Sequence, residues 1–148
     1  MATRPSKKHT FLKMARLLSE QSTCVRRSVG VIMTDINHKI VASGYNGSAR
    51  GLRHCIDAPC AGSYHRSGLA LDLCEAIHAE QNALMQCSDV NRIRSVYCTT
   101  APCIHCLKML LNTGAVNIYF IDSYSNMHEA ENMWIQSLRG RHWEQVII

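Results

Sequence analysis

The chain has 148 residues, of which 47% are hydrophobic and 18% are charged, and its formal net charge is +5. This length suits one compact domain with an ordinary buried core, so we expect residues 1–148 to form a single domain. No apolar run approaches the roughly eighteen residues of a membrane span, and no secretion signal follows the basic N-terminus. We therefore expect a cytoplasmic protein (host cytoplasm if the gene is viral) with reduced cysteines and no membrane partner.

The charge pattern favours a small phosphorylated partner over a polymer. Aromatic residues make up only 6% of the chain, which is little for a groove that stacks unpaired bases. Basic residues occur in pairs such as Arg26-Arg27, and no block of five like charges is present. We expect no nucleic-acid partner.

The first half of the chain predicts a helix, a β-hairpin and a long loop. Apolar residues recur at helical spacing over residues 8–22. Two apolar runs, 29–33 and 39–43, flank a short polar interval and predict an antiparallel hairpin. Residues 47–75 show little periodicity and predict an irregular insertion, whose length points to a function or an internal tether.

The second half alternates between helices and strands. The predicted helices are 78–86, 103–112 and 128–138, and the predicted strands are 95–99, 116–121 and, at the C-terminus, 146–148. Strand–helix–strand units form right-handed crossovers between parallel strands. The sequence therefore predicts an α/β fold, a three-layer α/β/α sandwich around a mixed, mostly five-stranded sheet.

Two short motifs predict a metal site. His78-Ala79-Glu80 begins one predicted helix, and Pro102-Cys103-Ile104-His105-Cys106 begins the next. One imidazole and two thiolates give zinc three protein ligands and leave its fourth position open, as in catalytic sites. Glu80 is then free to act as general base and general acid. A closed structural site that uses His105 as fourth ligand is the alternative, and it leaves Glu80 without a role.

Helix geometry places this metal beyond the ends of both helices. His78 and Glu80 are about 200° apart around a helix, so both can face one ion only if it lies off the first turn. Cys103 and Cys106 are about one turn apart, and Pro102 suits the start of a helix. Two helix N-termini would then point at the metal and favour the thiolate form of both cysteines.

These motifs resemble those of the cytidine/deoxycytidylate deaminase superfamily, and most closely its deoxycytidylate (dCMP) deaminase branch. The resemblance extends through Val29-Gly30-Val31, Ser43-Gly44-Tyr45-Asn46-Gly47 and Gly51 with His54-Cys55. It implies a cytidine deaminase-like fold and a zinc hydrolase that converts dCMP to dUMP and ammonia, supplying dUMP for thymidylate synthesis. The alternatives are a deaminase of dCTP or of a cytosine nucleoside, or a polynucleotide deaminase.

The resemblance also implies how the substrate is held. The implied substrate-binding residues are Asn46, Ala79, Ala101, Arg26, Arg27 and Tyr124. Asn46 would contact the sugar 3′-hydroxyl, the two alanine backbones would read the base edge, and one of the arginines, with Tyr124, would hold the phosphate. A structural turn at Asn46 and solvated surface arginines are the alternatives.

Some family members bind a second, structural zinc, and the insertion carries candidate ligands for one. They are Cys24, Cys55, Cys60, His65 and Cys74, with His54 as a further candidate. Four closed ligands would order so long a loop, whereas buried free thiols are the alternative. Cys87 and Cys98 are expected in the core.

Family members are often homohexamers that dCTP with Mg²⁺ activates and dTTP inhibits. The implied effector-binding residues are Gly47, Arg50, Gly51 and Arg53. The resemblance therefore implies an oligomer, with a hexamer favoured, and a nucleotide-binding loop after Asn46.

Overall fold

The computed structural model describes residues 2–66, 69–70, 73–137 and 140–148, which fold into helices packed on a central sheet. The helices are α1 Lys7–Ser19, α2 Ala79–Gln86, α3 Ile104–Leu111 and α4 Met127–Gln136. The strands are β1 Gly30–Thr34, β2 Ile40–Tyr45, β3 Gly47–Ser48, β4 Ala76–Ile77, β5 Ser95–Thr100, β6 Asn117–Asp122 and β7 His142–Gln145. Short 3₁₀ turns lie at Ala61–Tyr64 and Val90–Arg92.

The main sheet is mixed, with strand order β2-β1-β5-β6-β7. β1 pairs antiparallel with both β2 and β5, whereas β5, β6 and β7 run parallel to one another. The parallel portion follows from the crossovers through α3 and α4. The predicted mixed, five-stranded sheet is confirmed.

The two faces of the sheet are covered by different helices. On β1, Ile32 packs with Phe11 and Leu12 of α1, whereas its neighbour Val31 faces the core that contains Leu107 of α3. This alternation follows from the two-residue period of a strand. All six residues of β5 are buried, as expected for the central strand. The three-layer α/β/α arrangement is thereby confirmed.

The predicted strand at 146–148 is wrong. The last strand is His142–Gln145, which has half-exposed and exposed side chains and therefore lacks the apolar signature of a strand. The backbone N–H of Val146 still donates to the Phe120 carbonyl at 2.8 Å, but Ile147 is 91% exposed. Val146 and Ile148 both pack in the core under α1, so the apolar C-terminus marks core contacts after the strand.

Other boundaries shift by a few residues. α1 ends at Ser19, before the predicted residue 22, and α4 ends at Gln136, whereas the predicted residue 138 lies outside the described part of the chain. The insertion at 47–75 is less irregular than predicted, because β3 at its start pairs with β4 just after it. None of the described helices has the length and apolar character to cross a bilayer.

One close approach sets the position of α2 on the sheet. A Cβ at Gly44 of β2 would collide with the carbonyl oxygen of Ala79 and lie 2.8 Å from the backbone nitrogen of Ala83. Asn82 adds a hydrogen bond from its amide Nδ2 to the Tyr45 carbonyl at 2.8 Å. The first turn of α2 is therefore seated directly on β2.

Candidate functional site

The candidate site lies at the carboxyl end of β5, where the N-termini of α2 and α3 meet. β5 has an antiparallel neighbour on one side and a parallel neighbour on the other. Ligands of open α/β sheets commonly bind beyond the carboxyl ends of the strands. The backbone N–H of Ala101 donates to the Asp122 carbonyl at 2.9 Å, which extends the β5–β6 pairing into the site.

Two of the predicted ligands are the residues that cap these helices. His78 precedes α2 with φ −69° and ψ 154°, and Cys103 precedes α3 with φ −72° and ψ 167°. The His78 backbone N–H donates to Oε1 of Gln81 at 2.8 Å, which fixes the first turn of α2. Pro102 precedes Cys103 and lacks an N–H that the helix start would leave unpaired. Both side chains therefore project from extended residues beyond the helix ends.

The structure brings His78, Cys103 and Cys106 together. Nδ1 of His78 lies 3.4 Å from Sγ of Cys103 and 3.3 Å from Sγ of Cys106, and the three ligand atoms lie within 4.8 Å of one another. A tetrahedral zinc with bonds of about 2.05 Å to nitrogen and about 2.3 Å to sulfur separates such atoms by about 3.6 Å. The spacing and the donor set therefore fit a zinc ion with an open fourth position.

The electrostatics of this group favour a thiolate. A hydrogen bond from the Cys106 thiol, with a further one to His78, lowers the pKa of Cys103 to about 4. The same contact with Cys103, together with burial, raises the pKa of Cys106. The hydrogen bond to Cys103 raises the pKa of His78. All three groups become proton-free ligands when a metal binds.

Glu80 lies in the first turn of α2, beside the three ligands. Its side chain is only 4% exposed, and burial raises the pKa of its carboxyl group. Beneath it, the fully buried Cys98 of β5 contacts the carboxylate, and burial raises the pKa of that thiol as well. Cys87 lies just past the end of α2, half-buried against the core. Glu80 is therefore a buried carboxyl group next to the ligands.

A cavity of about 540 Å³ opens above these residues. All the predicted substrate-binding residues line it: Arg26, Arg27, Asn46, Ala79, Ala101 and Tyr124. Burial raises the pKa of the Tyr124 hydroxyl. This volume is within the range of small-molecule sites, which runs from about 300 to 1,000 Å³.

Asn46 also has a structural role in the cavity wall. Its Oδ1 accepts the Val29 backbone N–H at 2.9 Å, and its Nδ2 donates to the Arg27 carbonyl at 2.7 Å. The side chain is 7% exposed. Asn46 thus braces the segment that carries both arginines.

Several cavity-lining residues were not predicted from the sequence. They are Val29, Ala76, Thr100, Ile104, Ser125, Asn126, His128 and Glu129. The last four lie after β6 and at the start of α4. They could have been predicted from the sheet topology, because parallel neighbouring strands such as β5 and β6 end at the same edge of a sheet. They add polar side chains to the cavity lining.

The candidate ligands of a second zinc are only partly brought together. Sγ of Cys55 lies 3.8 Å from Sγ of Cys60, and both residues are buried. Backbone N–H groups, that of Glu75 first, lower the pKa of Cys60. Cys24 and Cys74 line the cavity, and His65 is exposed. Within the described ranges, His78, Cys103 and Cys106 are the only group of three or more potential ligands that approach one another this closely.

The candidate effector residues lie away from this cavity. Arg50, Gly51 and Arg53 are exposed on the insertion, and Gly51 has φ +88°. Gly47 is buried in β3, where a Cβ would lie 2.5 Å from Oγ1 of Thr23.

Known proteins resemble the chain in both sequence and structure. The deoxycytidylate deaminase of Schizosaccharomyces pombe is 34% identical over 126 residues, which make up 82% of this chain and 39% of that protein. ComE operon protein 2 of Bacillus subtilis is 34% identical over 131 residues, or 86% of this chain and 65% of that protein. The chain thus spans less than two thirds of either relative.

A solved structure matches the whole fold. The dCMP deaminase from the cyanophage S-TIM5, in complex with dCMP and dUMP, superposes with a TM-score of 0.73 at 28% identity. The match covers 98% of this chain and 100% of that one. The family model for the cytidine and deoxycytidylate deaminase zinc-binding region matches residues 5–122, which include both zinc motifs. The chain therefore belongs to the cytidine and deoxycytidylate deaminase family.

Proposed function

We propose that this chain catalyses the hydrolytic deamination of dCMP to dUMP and ammonia. The observation that carries the proposal is the floor of the cavity, where buried Glu80 lies beside the group of His78, Cys103 and Cys106. The choice of dCMP is supported by the likeness to the cyanophage dCMP deaminase, whose structure contains dCMP and dUMP. An arginine at the cavity wall suits a phosphorylated substrate.

The three ligand residues would hold one zinc ion, which acts as a Lewis acid on a water molecule when bound there. Glu80 would take a proton from that water and deliver it to N3 of the cytosine ring. A new bond forms between the water oxygen and C4, and the C4–N4 bond then breaks. Glu80 would then carry the proton of the new C4 hydroxyl to the departing nitrogen, which leaves as ammonia while C4 becomes a carbonyl.

Backbone groups at the two helix starts would orient the base. The first N–H groups of an α-helix have no intrahelical acceptor, so the N–H of Ala79 can donate to the base. The N–H of Ala101 donates to the backbone carbonyl of Asp122, so the Ala101 carbonyl is the group that would accept a hydrogen bond from the amino group at C4. One donor and one acceptor would thus read the edge that distinguishes cytosine from uracil.

Asn46, Arg27 and Tyr124 would hold the sugar and the phosphate. Asn46 uses one N–H and one lone pair in bracing the wall, so its amide retains capacity for the 3′-hydroxyl. Arg27 and Tyr124 both line the cavity. A guanidinium and a phenol together suit a monoester phosphate.

A substrate panel tests this function. Purified protein loaded with zinc is incubated with dCMP, deoxycytidine, CMP, dCTP and a cytosine-containing oligonucleotide, and ammonia and product masses are measured. We expect dCMP to be deaminated far faster than the others. Equal rates for dCMP and deoxycytidine would refute the phosphate contact, and turnover of the oligonucleotide alone would refute the small-molecule assignment.

A second zinc in the insertion belongs to the same proposal. The buried Cys55–Cys60 pair supports it, because sulfur atoms 3.8 Å apart match the edge of a zinc tetrahedron, which is about 3.8 Å. Metal content per chain tests it. Two zinc ions in the native protein and one in Cys60→Ser would support the second site, and one in both would refute it.

Regulation and assembly complete the proposal. We infer a homohexamer in the cytoplasm, with dCTP and Mg²⁺ or dTTP bound near Gly47, Arg50, Gly51 and Arg53. Two exposed arginines on one loop suit a triphosphate. Light scattering gives the oligomer size, and dCMP turnover titrated with each effector, with and without Mg²⁺, tests the site. Unchanged turnover would refute regulation.

A further inference from the structure

Arg26 is tied to the insertion by three hydrogen bonds from a single nitrogen. Its Nη1 donates to the backbone carbonyls of Leu69 at 2.8 Å, Arg66 at 2.9 Å and His65 at 3.5 Å. These acceptors lie 39 to 43 residues further along the chain. A guanidinium that donates to several carbonyls makes stronger hydrogen bonds than neutral donors do. Arg26 therefore connects the start of the cavity wall to the middle of the insertion.

Its neighbour Arg27 has different surroundings. Both side chains are half-buried and line the same cavity. Within the described ranges, the Arg27 guanidinium makes no hydrogen bond or ion pair. Its charge acts on Tyr124, whereas the charge of Arg26 acts on His78. The two adjacent arginines thus differ in their contacts: Arg26 donates to carbonyls of the insertion, and Arg27 does not.

The carbonyl oxygens around Nη1 of Arg26 make this nitrogen a poor phosphate ligand. A phosphate oxygen that approached this nitrogen would meet the partial negative charges of the carbonyls and compete for the same N–H groups. The insertion also needs a tether, because long loops without much secondary structure are otherwise rarely ordered in small domains. Both considerations assign Arg26 to the protein scaffold.

We propose that Arg26 is a positioning residue that clamps the insertion against the cavity and leaves phosphate recognition to Arg27. The proposal rests on the proposed function for its choice of substrates, but the clamp itself is a property of the fold. The clamp holds the carbonyl of Leu69, five residues before Cys74, which lines the cavity together with Ala76 and the candidate ligand His78. Without it, the pocket would lose one wall for any cytosine compound, phosphorylated or not.

Trypsin provides a test that does not depend on catalysis. The peptide bond after Arg66 is a trypsin site, and its carbonyl is one of those that Arg26 holds. We expect Arg26→Ala to accelerate cleavage after Arg66 about tenfold, measured by mass spectrometry of the fragments. Cleavage after Arg50 and Arg53, which Arg26 does not contact, provides the internal reference. Unchanged cleavage after Arg66 would overturn the clamp.

Kinetics with two substrates separate clamping from phosphate binding. We expect Arg26→Ala to raise KM for dCMP and for deoxycytidine by the same factor, about tenfold, with kcat within about threefold. Arg27→Ala, the matched variant, should raise KM for dCMP about tenfold or more and leave deoxycytidine within about twofold. An Arg26→Ala effect confined to dCMP would overturn the proposal and make Arg26 a phosphate ligand.

Rescue and folding controls complete the experiment. The ammonium group in Arg26→Lys supplies three N–H donors on one nitrogen, so this variant should restore protection after Arg66 and bring KM most of the way back to the native value. Failure of lysine to restore either would count against a clamp made by N–H donation. If Arg26→Ala does not fold, as judged by circular dichroism, Arg26→Gln takes its place. If the native protein does not deaminate dCMP, the proposed function fails while the trypsin experiment still decides the clamp.

Discussion

Replacing Gly44 by alanine tests whether the seat of α2 on β2 sets the geometry of the site. The added Cβ would lie 2.8 Å from the backbone nitrogen of Ala83 and 3.2 Å from its Cβ, and closer still to the Ala79 carbonyl. Nonbonded carbon atoms have their optimal van der Waals separation at about 3.5 Å or more, so α2 must move away from β2 by roughly 0.5 to 1 Å. His78 and Glu80 belong to this turn and would move with it.

The expected consequences follow from that displacement. A misplacement of about 1 Å at a catalytic site costs on the order of 100-fold in rate, so kcat/KM for dCMP should fall by about that factor. Overpacking costs about 1 to 3 kcal/mol, which for a chain of this size lowers Tm by roughly 2 to 12 °C. Ammonia release and thermal melts measure the two effects, and zinc content shows whether the displaced site still binds its metal.

Gly114→Ala is the matched control for this experiment. A Cβ there would collide with the Asn91 carbonyl and lie 2.8 Å from that of Ile93, before β6 and therefore at the opposite end of the sheet from the site. It should lower Tm by a similar amount while the folded protein keeps its kcat/KM. Similar activity losses in both variants, or full activity in Gly44→Ala, would refute the link between the β2–α2 contact and catalysis.

Three further variants test separate parts of the structure. Glu80→Gln should keep its zinc and lose about 10³-fold in kcat, measured by metal analysis and ammonia release, because an amide cannot transfer the proton. Cys103→Ala should lose both zinc and turnover, and zinc retained at the native level would contradict its role as a ligand. The pKa of Asp35 is lowered chiefly by a hydrogen bond from the Lys39 backbone N–H, and further by the Asn37 N–H and by Arg92. The ionised carboxylate therefore stabilises the fold above the unfolded pKa of about 3.9, and this stabilisation is lost as the pH falls through the lower pKa of the folded protein. Urea unfolding from pH 3 to 7 should therefore show the gap in stability between native and Asp35→Asn protein narrowing towards pH 3; a constant gap would contradict this.

The zinc motifs could be placed from the sequence because their constraints are local. A two-residue spacing at His78 and a proline before Cys103 restrict both ligands to helix starts, and the structure has helices beginning one residue after each. The fold class was equally accessible, because the apolar periods of β5, α3 and β6 are clear. These inferences needed no knowledge of distant contacts.

Other features depended on contacts between distant segments. Polar β7 is a strand only because β6 offers it a parallel edge, so its sequence carries little signal. The residues after β6 reach the cavity through sheet order, which composition does not encode. The different surroundings of Arg26 and Arg27 arise from carbonyls some forty residues away, so two adjacent identical residues could not be separated by sequence alone.

The placement of the ligands on two separate helix caps gives a bound ion a mechanical role. Nδ1 of His78 and the two sulfurs are 25 and 28 residues apart along the chain, so coordination would staple α2 to α3 across β5. Closing loops of this length restricts the denatured ensemble, and the affinity for zinc is then inseparable from the docking of both helices. The zinc affinity measured by titrating the apoprotein would therefore also report the stability with which α2 and α3 dock on the sheet.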